Sequence, residues 1–182
     1  MNFLPTPIAG AHIIEPRVFG DARGWFMETW RADAFAAAGI GPTFVQDNHS
    51  RSVRGVLRGL HYQSPNPQGK LIRVAAGAVF DVIVDLRAAS PSFRQWFGLE
   101  LSADNHRLLW APPGVAHGFL TLSESCDFLY RCTAYHDPAS ERSVRWDDPD
   151  LAIAWPLGAG AAPTVSAKDA AAPPLAQAVI YP

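Results

Sequence analysis

Ile72-Arg73-Val74-Ala75-Ala76-Gly77-Ala78-Val79-Phe80-Asp81-Val82-Ile83-Val84-Asp85-Leu86-Arg87 reads as the clearest strand region of the chain. Phe80, Val82, Val84 and Leu86 share one apolar face, while Asp81 and Asp85 point the other way, the period of two that a pleated strand imposes. Working outward, Gly55–Gln63 and Phe128–Tyr135 are further strand candidates. Gly118–Leu122 is a shorter one, following the turn Ala111-Pro112-Pro113-Gly114. Only Arg31–Ala38 reads as helix, and it is short. With 14 Gly and 16 Pro punctuating short strands, the pattern predicts an all-β sandwich or barrel.

The 182 residues fit one domain, and 48% hydrophobic against 18% charged composition supports a sizeable core. A formal net charge of −2 leaves no basic field for nucleic acid, although a few local cations suffice for a small anion. The start, Met1–Gly10, has no basic leader region, and no apolar run is long enough to span a membrane, so a cytoplasmic enzyme is expected. Cys126 and Cys132, six apart, share one face of a strand about 20 Å from each other, too far to bridge. From Leu157 onward the chain turns to Ala, Pro and Gly and, on composition, reads as a loosely held tail; its only charged residues are Lys168 and Asp169.

His61 sits in Arg58-Gly59-Leu60-His61-Tyr62-Gln63, flanked two residues away by Gly59 and Gln63, on a face that is not strongly apolar. It reads either as a barrel-wall histidine satisfied by one hydrogen bond or as a base, for which imidazole is suited near neutral pH. Arg58, three positions earlier, faces the opposite side of an ideal strand. Either Gly59 marks a bulge that re-aims both residues into one pocket, or only one of them is functional. Tyr130 alternates with Cys126, Phe128 and Cys132 and is either a core phenol or an acid. His117 follows a Pro-Gly turn beside Gly118, where a ligand can approach closely, or is simply a polar turn residue. Gln46-Asp47-Asn48-His49-Ser50 is a polar run, solvated or hydrogen-bonding to a base or phosphate. The spacing of a metal-binding barrel, two histidines two apart followed by a glutamate, is absent around His61, so neither metal nor cofactor is expected.

Seven blocks follow one another along the chain: Phe19-Gly20-Asp21-Ala22-Arg23-Gly24, Gln46–Ser50, Gly55–Gln63, Gly69-Lys70-Leu71-Ile72-Arg73, Pro113–Phe119, Phe128-Leu129-Tyr130 and Ser166-Ala167-Lys168-Asp169. Together they resemble the dTDP-4-dehydrorhamnose 3,5-epimerase family over almost the whole chain. The resemblance implies a metal-free, cupin-type jelly-roll barrel with short peripheral helices, one domain over 1–182, and a C-terminal segment, 156–182, folding back over the barrel mouth. It implies inversion of C3 and C5 of a dTDP-4-keto-6-deoxy sugar in dTDP-L-rhamnose biosynthesis. His61 is then the general base, Asp169 orients it, Tyr130 is the proton donor, and Lys70 faces the 4-keto oxygen with His117 nearby. Arg23, Glu28, Gln46, Asn48, Arg58, Glu141 and Lys168 match substrate-contact positions, and Phe26 is available to stack on thymine. It further implies a homodimer that exchanges N-terminal strands, so that Arg23 and Glu28 serve the partner's site. His136 departs from the family, where many members carry a second tyrosine. A single-carbon epimerase on a related dTDP-4-keto sugar, or a non-catalytic sugar-binding barrel, remain as alternatives.

Overall fold

The computed structural model describes residues 1–41, 43–158 and 160–182. In chain order the strands are β1 (Asn2–Pro5), β2 (His12–Glu15), β3 (Val18–Asp21), β4 (Gly24–Met27), β5 (Gln46–Val53), β6 (Leu57–Gln63) and β7 (Lys70–Ala76). They continue with β8 (Ala78–Asp85), β9 (Trp96–Ser102), β10 (Leu108–Ala111), β11 (Val115–Thr121), β12 (Ser125–Cys132) and β13 (Glu141–Ser143). Helices are confined to α1 (Ala32–Ala37), α2 (Ala167–Ala170) and a 3₁₀ turn at Leu175–Gln177 among the described residues. None is long and apolar enough to cross a membrane.

Two antiparallel sheets face each other, in the orders β1-β2-β10-β7-β12-β5 and β13-β6-β11-β8-β9, and β3-β4 forms a separate hairpin. The stretch 72–87 is therefore two strands in different sheets, not one. Gly77 makes the crossing with φ +77°, and a Cβ there would run into the Ser125 carbonyl, so only glycine fits. The last strand candidate also shifts: β12 ends at Cys132, and Thr133 to Tyr135 leave the sheet.

Ile72, Val74, Leu109 and Phe128 from the first sheet meet Val79, Ile83, Leu101, Val115 and Phe119 from the second, filling the space between them. Val82, Val84 and Leu86 lie on the outer face of the second sheet, under Val144, Leu151 and Leu175, with Phe80 packed against them. Both faces of β8 are thus covered, and its apolar face is the one turned away from the barrel interior, toward the C-terminal segment. On the far side, Phe35 of α1 packs on Ile14, Leu71, Leu108 and Trp110.

The C-terminal segment is not loosely held. Thr164 exchanges backbone hydrogen bonds with Gly55 and Leu57 at 2.8 and 2.9 Å, and Tyr181 does so with Leu86 and Ala88 at 2.9 and 2.8 Å. Small residues and prolines suit an extended strap, which needs only occasional anchors such as buried Leu175.

The pairing of β6 with β11 slips by one residue between His117↔His61 and Phe119↔Arg58, so β6 bulges around Gly59. Gly59 has φ +126°, and a Cβ there would sit 2.6 Å from Gly118 Cα and 2.9 Å from the His117 carbonyl oxygen. Neither neighbour can swing aside, because both are backbone. Gly59→Ala is expected to lower stability by about 2–6 kcal/mol, combining backbone strain with overpacking. Chemical denaturation checks this, and an unchanged midpoint would show that the crossing is looser than the geometry requires.

Candidate active site

Alternation decides which side chains turn inward. On β7 they are Lys70, Ile72 and Val74; on β12, Phe128, Tyr130 and Cys132, with Cys132 opposite Lys70 and Tyr130 opposite Ile72. On β5 the partly buried residues Gln46 and Asn48 lie opposite Cys132 and Tyr130. The inward residues are apolar at one end of the barrel and polar at the other. At the polar end they enclose a cavity of about 260 Å³, walled by Gln46, Asn48, His61, Lys70, Tyr130 and Glu141 together with Gln63, Gln68, Cys132 and His136. A larger hollow of about 520 Å³ lies beside α1, but its wall is mostly apolar and its charged residues are Asp47 and Arg131, paired at 3.4 Å. Its one carboxylate is tied to Arg131 and no histidine lines it among the described residues, so the smaller cavity is the chemical one.

His61 Nε2 lies 2.6 Å from Asp169 Oδ1. The other carboxylate oxygen accepts from the Gly59 N–H at 3.4 Å. Burial pushes the Asp169 pKa up, but the hydrogen bond and charge of His61, with smaller help from Gly59 and Ser166, outweigh it and leave the carboxyl below its ordinary range. Asp169 is therefore held ionised against the imidazole, and the ring nitrogen not bonded to it is free to accept a proton.

Lys70 pairs with no carboxylate among the described residues; its Nζ stands 6.0 Å from the Tyr130 ring centroid. Burial lowers its pKa, partly offset by Cys132, Asp81 and Glu141. Burial also raises the Tyr130 phenol, which therefore stays protonated and able to donate. His117 lies opposite His61 on the adjacent strand, deeper in the barrel, stacked on Phe128 at 5.8 Å and bonded through Nε2 to Asp81 Oδ2 at 2.9 Å. It backs the cavity without forming its wall. Burial pulls His117 down and Asp81 up, so the dyad is a desolvated unit behind Lys70.

Arg58, at the Gly59 bulge, remains exposed and does not line the cavity; its Nε donates to Ser52 Oγ on β5 at 3.0 Å, and its charge is felt by Tyr130. Glu141 on β13 forms an ion pair with Lys168 of α2, which holds its carboxyl below the usual range. Gln46 donates to Asn48 at 3.0 Å and accepts from the His136 backbone at 2.8 Å. Arg23, Phe26 and Glu28 are not brought into this cavity within one chain. Arg23 is 90% exposed and pairs with Asp21 at the tip of the β3-β4 hairpin. Phe26 is 68% exposed, and Glu28 pairs with Arg31 at 3.8 Å.

Asp81, Gln68 and Cys132 escaped the sequence reading. A carboxylate inside an apolar strand was the available signal for Asp81, and the shared alternation with Tyr130 was the signal for Cys132. Nothing marked Gln68. Among the described residues no group of His, Cys, Asp or Glu converges as a metal site. A base backed by a carboxylate, a phenol and an unpaired ammonium around one small cavity suit proton transfer at carbon beside a carbonyl.

A family model described as dTDP-4-dehydrorhamnose 3,5-epimerase matches residues 5–177. The chain belongs to the dTDP-4-dehydrorhamnose 3,5-epimerase family. It is accordingly an isomerase with the cupin-type β-barrel of that family. The dTDP-4-dehydrorhamnose 3,5-epimerase of Salmonella typhimurium is 53% identical, covering 99% of this chain and 98% of the relative. That of Pseudomonas aeruginosa is 54% identical over 93% of each. The solved dTDP-6-deoxy-D-glucose-3,5-epimerase of Legionella pneumophila, in complex with dTDP-4-keto-L-rhamnose, is 52% identical with a TM-score of 0.92, covering 97% of this family member and 93% of that chain.

Proposed function

We propose that this chain inverts C3 and C5 of dTDP-4-dehydro-6-deoxy-D-glucose to give dTDP-4-dehydro-L-rhamnose, a step of dTDP-L-rhamnose biosynthesis, in the cytoplasm. The observation that carries this reading is that His61, backed by Asp169, and Tyr130 wall one cavity together with Lys70. Residues 1–182 act as one epimerase domain, with the segment 156–182 folding back to supply Asp169.

A C–H bond beside a ketone ionises only if the electron pair can move onto the carbonyl oxygen. His61 takes the proton, the pair becomes an enolate, and Lys70 holds the charge on O4, with His117 behind it. Tyr130 then gives a proton to the same carbon from the opposite face of the ring. The count closes when the imidazolium and phenolate are reset by water. Asp169 stabilises the imidazolium and fixes the tautomer. Arg58 and Lys168 favour the nucleotide's diphosphate electrostatically, and Gln46, Asn48 and Glu141 supply hydrogen bonds.

The β3-β4 hairpin pairs with neither large sheet and exposes Trp25 and Phe26. In this reading a homodimer exchanges these strands, and Arg23, Phe26 and Glu28 serve the partner's cavity. Two-fold symmetry is the commonest way for such a surface to be buried.

Incubation with dTDP-4-keto-6-deoxyglucose in deuterated water, followed by NMR, tests the function. Label at C3 and C5 with both centres inverted is expected; label at one carbon would make the chain a single-carbon epimerase, and none would leave a sugar-binding barrel. Tyr130→Phe is expected to keep exchange, since the base and enolate site survive, while completed inversion falls at least about 10²-fold. Normal inversion by that variant would place the acid elsewhere.

A further inference from the structure

In the block Ser166-Ala167-Lys168-Asp169, the last two residues enter the proposed chemistry and the serine has no part in it. Ser166 is the residue before α2, with extended backbone angles of φ −68° and ψ 158°, and its side chain accepts from the backbone N–H of Asp169 at 3.1 Å. The Ala170 N–H reaches back to the Ser166 carbonyl at 2.9 Å. The four-residue turn is too short to persist alone, because helix nucleation is unfavourable, so what holds it is local. Ser166 itself is exposed, whereas Asp169 is buried, so the serine acts through this cap and not through packing.

Asp169 is pinned from several directions at once. Ser166 holds its backbone nitrogen, the Gly59 N–H holds Oδ2, and only Oδ1 is left for His61. Two further anchors fix the turn as a body: the Thr164 exchange with β6 before it, and the Glu141–Lys168 pair within it. Those anchors place the segment but not the carboxylate. A rotation of the peptide at Asp169 would swing its side chain away from His61 while leaving both anchors intact; the Ser166 hydroxyl opposes it directly at the Asp169 amide, alongside the Gly59 N–H on Oδ2 and the Ala172 N–H on the Asp169 carbonyl.

We propose that Ser166 is a positioning residue of the reaction: its hydroxyl, by bonding the Asp169 amide, fixes the carboxylate against His61 and so sets the basicity of the imidazole. The proposal rests on the reading of His61 and Asp169 as base and orienting carboxylate. A lost cap of this kind corresponds to about a fivefold to tenfold effect. Ser166→Ala is accordingly expected to lower kcat by about fivefold to tenfold with KM within about twofold, and Ser166→Thr, which keeps the hydroxyl, to restore kcat. Because Ser166 acts only through the carboxylate, adding Ser166→Ala to Asp169→Asn should cost nothing further.

Steady-state kinetics of the full-length single and double variants decides it. An equal loss from Ser166→Ala in both backgrounds, a loss confined to KM, or wild-type kcat in the alanine variant would each overturn the proposal. A wild-type rate in Asp169→Asn alone would remove the orienting role of Asp169 and this inference with it. A slowed Asp169→Asn with additive losses would overturn only the role of Ser166.

Discussion

His61→Ala should abolish deuterium incorporation from solvent at both C3 and C5. The cavity wall presents one imidazole whose partner is a buried carboxylate held ionised, and the other histidine of the wall, His136, has no carboxylate bonded to its ring among the described residues. A positioned base contributes roughly 10²–10⁴-fold, and its removal also strands Asp169 without the group that lowers its pKa. Exchange at C3 and C5 should therefore fall together by at least about 10²-fold. The alanine variant leaves Gly59 and the bulge intact, so the barrel should still fold, and circular dichroism with nucleotide binding separates lost chemistry from lost structure. Residual exchange at one carbon at the native rate would mean that a different base serves that carbon.

Lys70→Met should lower kcat by roughly 10²–10³-fold, the usual consequence of deleting one preorganised donor to a developing oxyanion, about 2.7–4 kcal/mol. Methionine keeps the length and apolar stem of the side chain, so the loss reports charge rather than packing. Both carbons share the same enolate oxygen, and both inversions should slow equally. The pH dependence follows from the direction of the shift. Burial lowers the Lys70 pKa, and only the ammonium stabilises the enolate, so the native enzyme should lose kcat as pH rises through a value below the ordinary lysine range near 10.4. That alkaline limb should vanish in the methionine variant. A variant that turns over at the native rate would place the oxyanion donor elsewhere, with the Asp81–His117 dyad the next group to test.

These expectations show how differently the site residues were legible. The alternation through Phe80–Leu86 identified a strand without Gly77 revealing that the chain changes sheets there. Arg58 and His61 faced opposite ways on an ideal strand; β6 does bulge around Gly59, but His61 lines the cavity while Arg58 stays exposed beside Ser52. Tyr130 was ambiguous because its neighbours are apolar, and it is in fact both: it packs on Phe128 on one side and opens to the cavity on the other.

The amino-acid order alone determined the all-β class, the family blocks and the residue types able to move a proton, since strand period, turn chemistry and side-chain pKa are local properties. Tertiary structure alone decided that the polar ends of β5, β6, β7 and β12 close around one cavity. It also decided that the apolar face of β8 turns outward, and that a strap rich in alanine and proline brings Asp169 to a histidine 108 residues away. A period of two states which residues share a face but not which face is inside, and no local rule specifies where a chain returns after so long a loop.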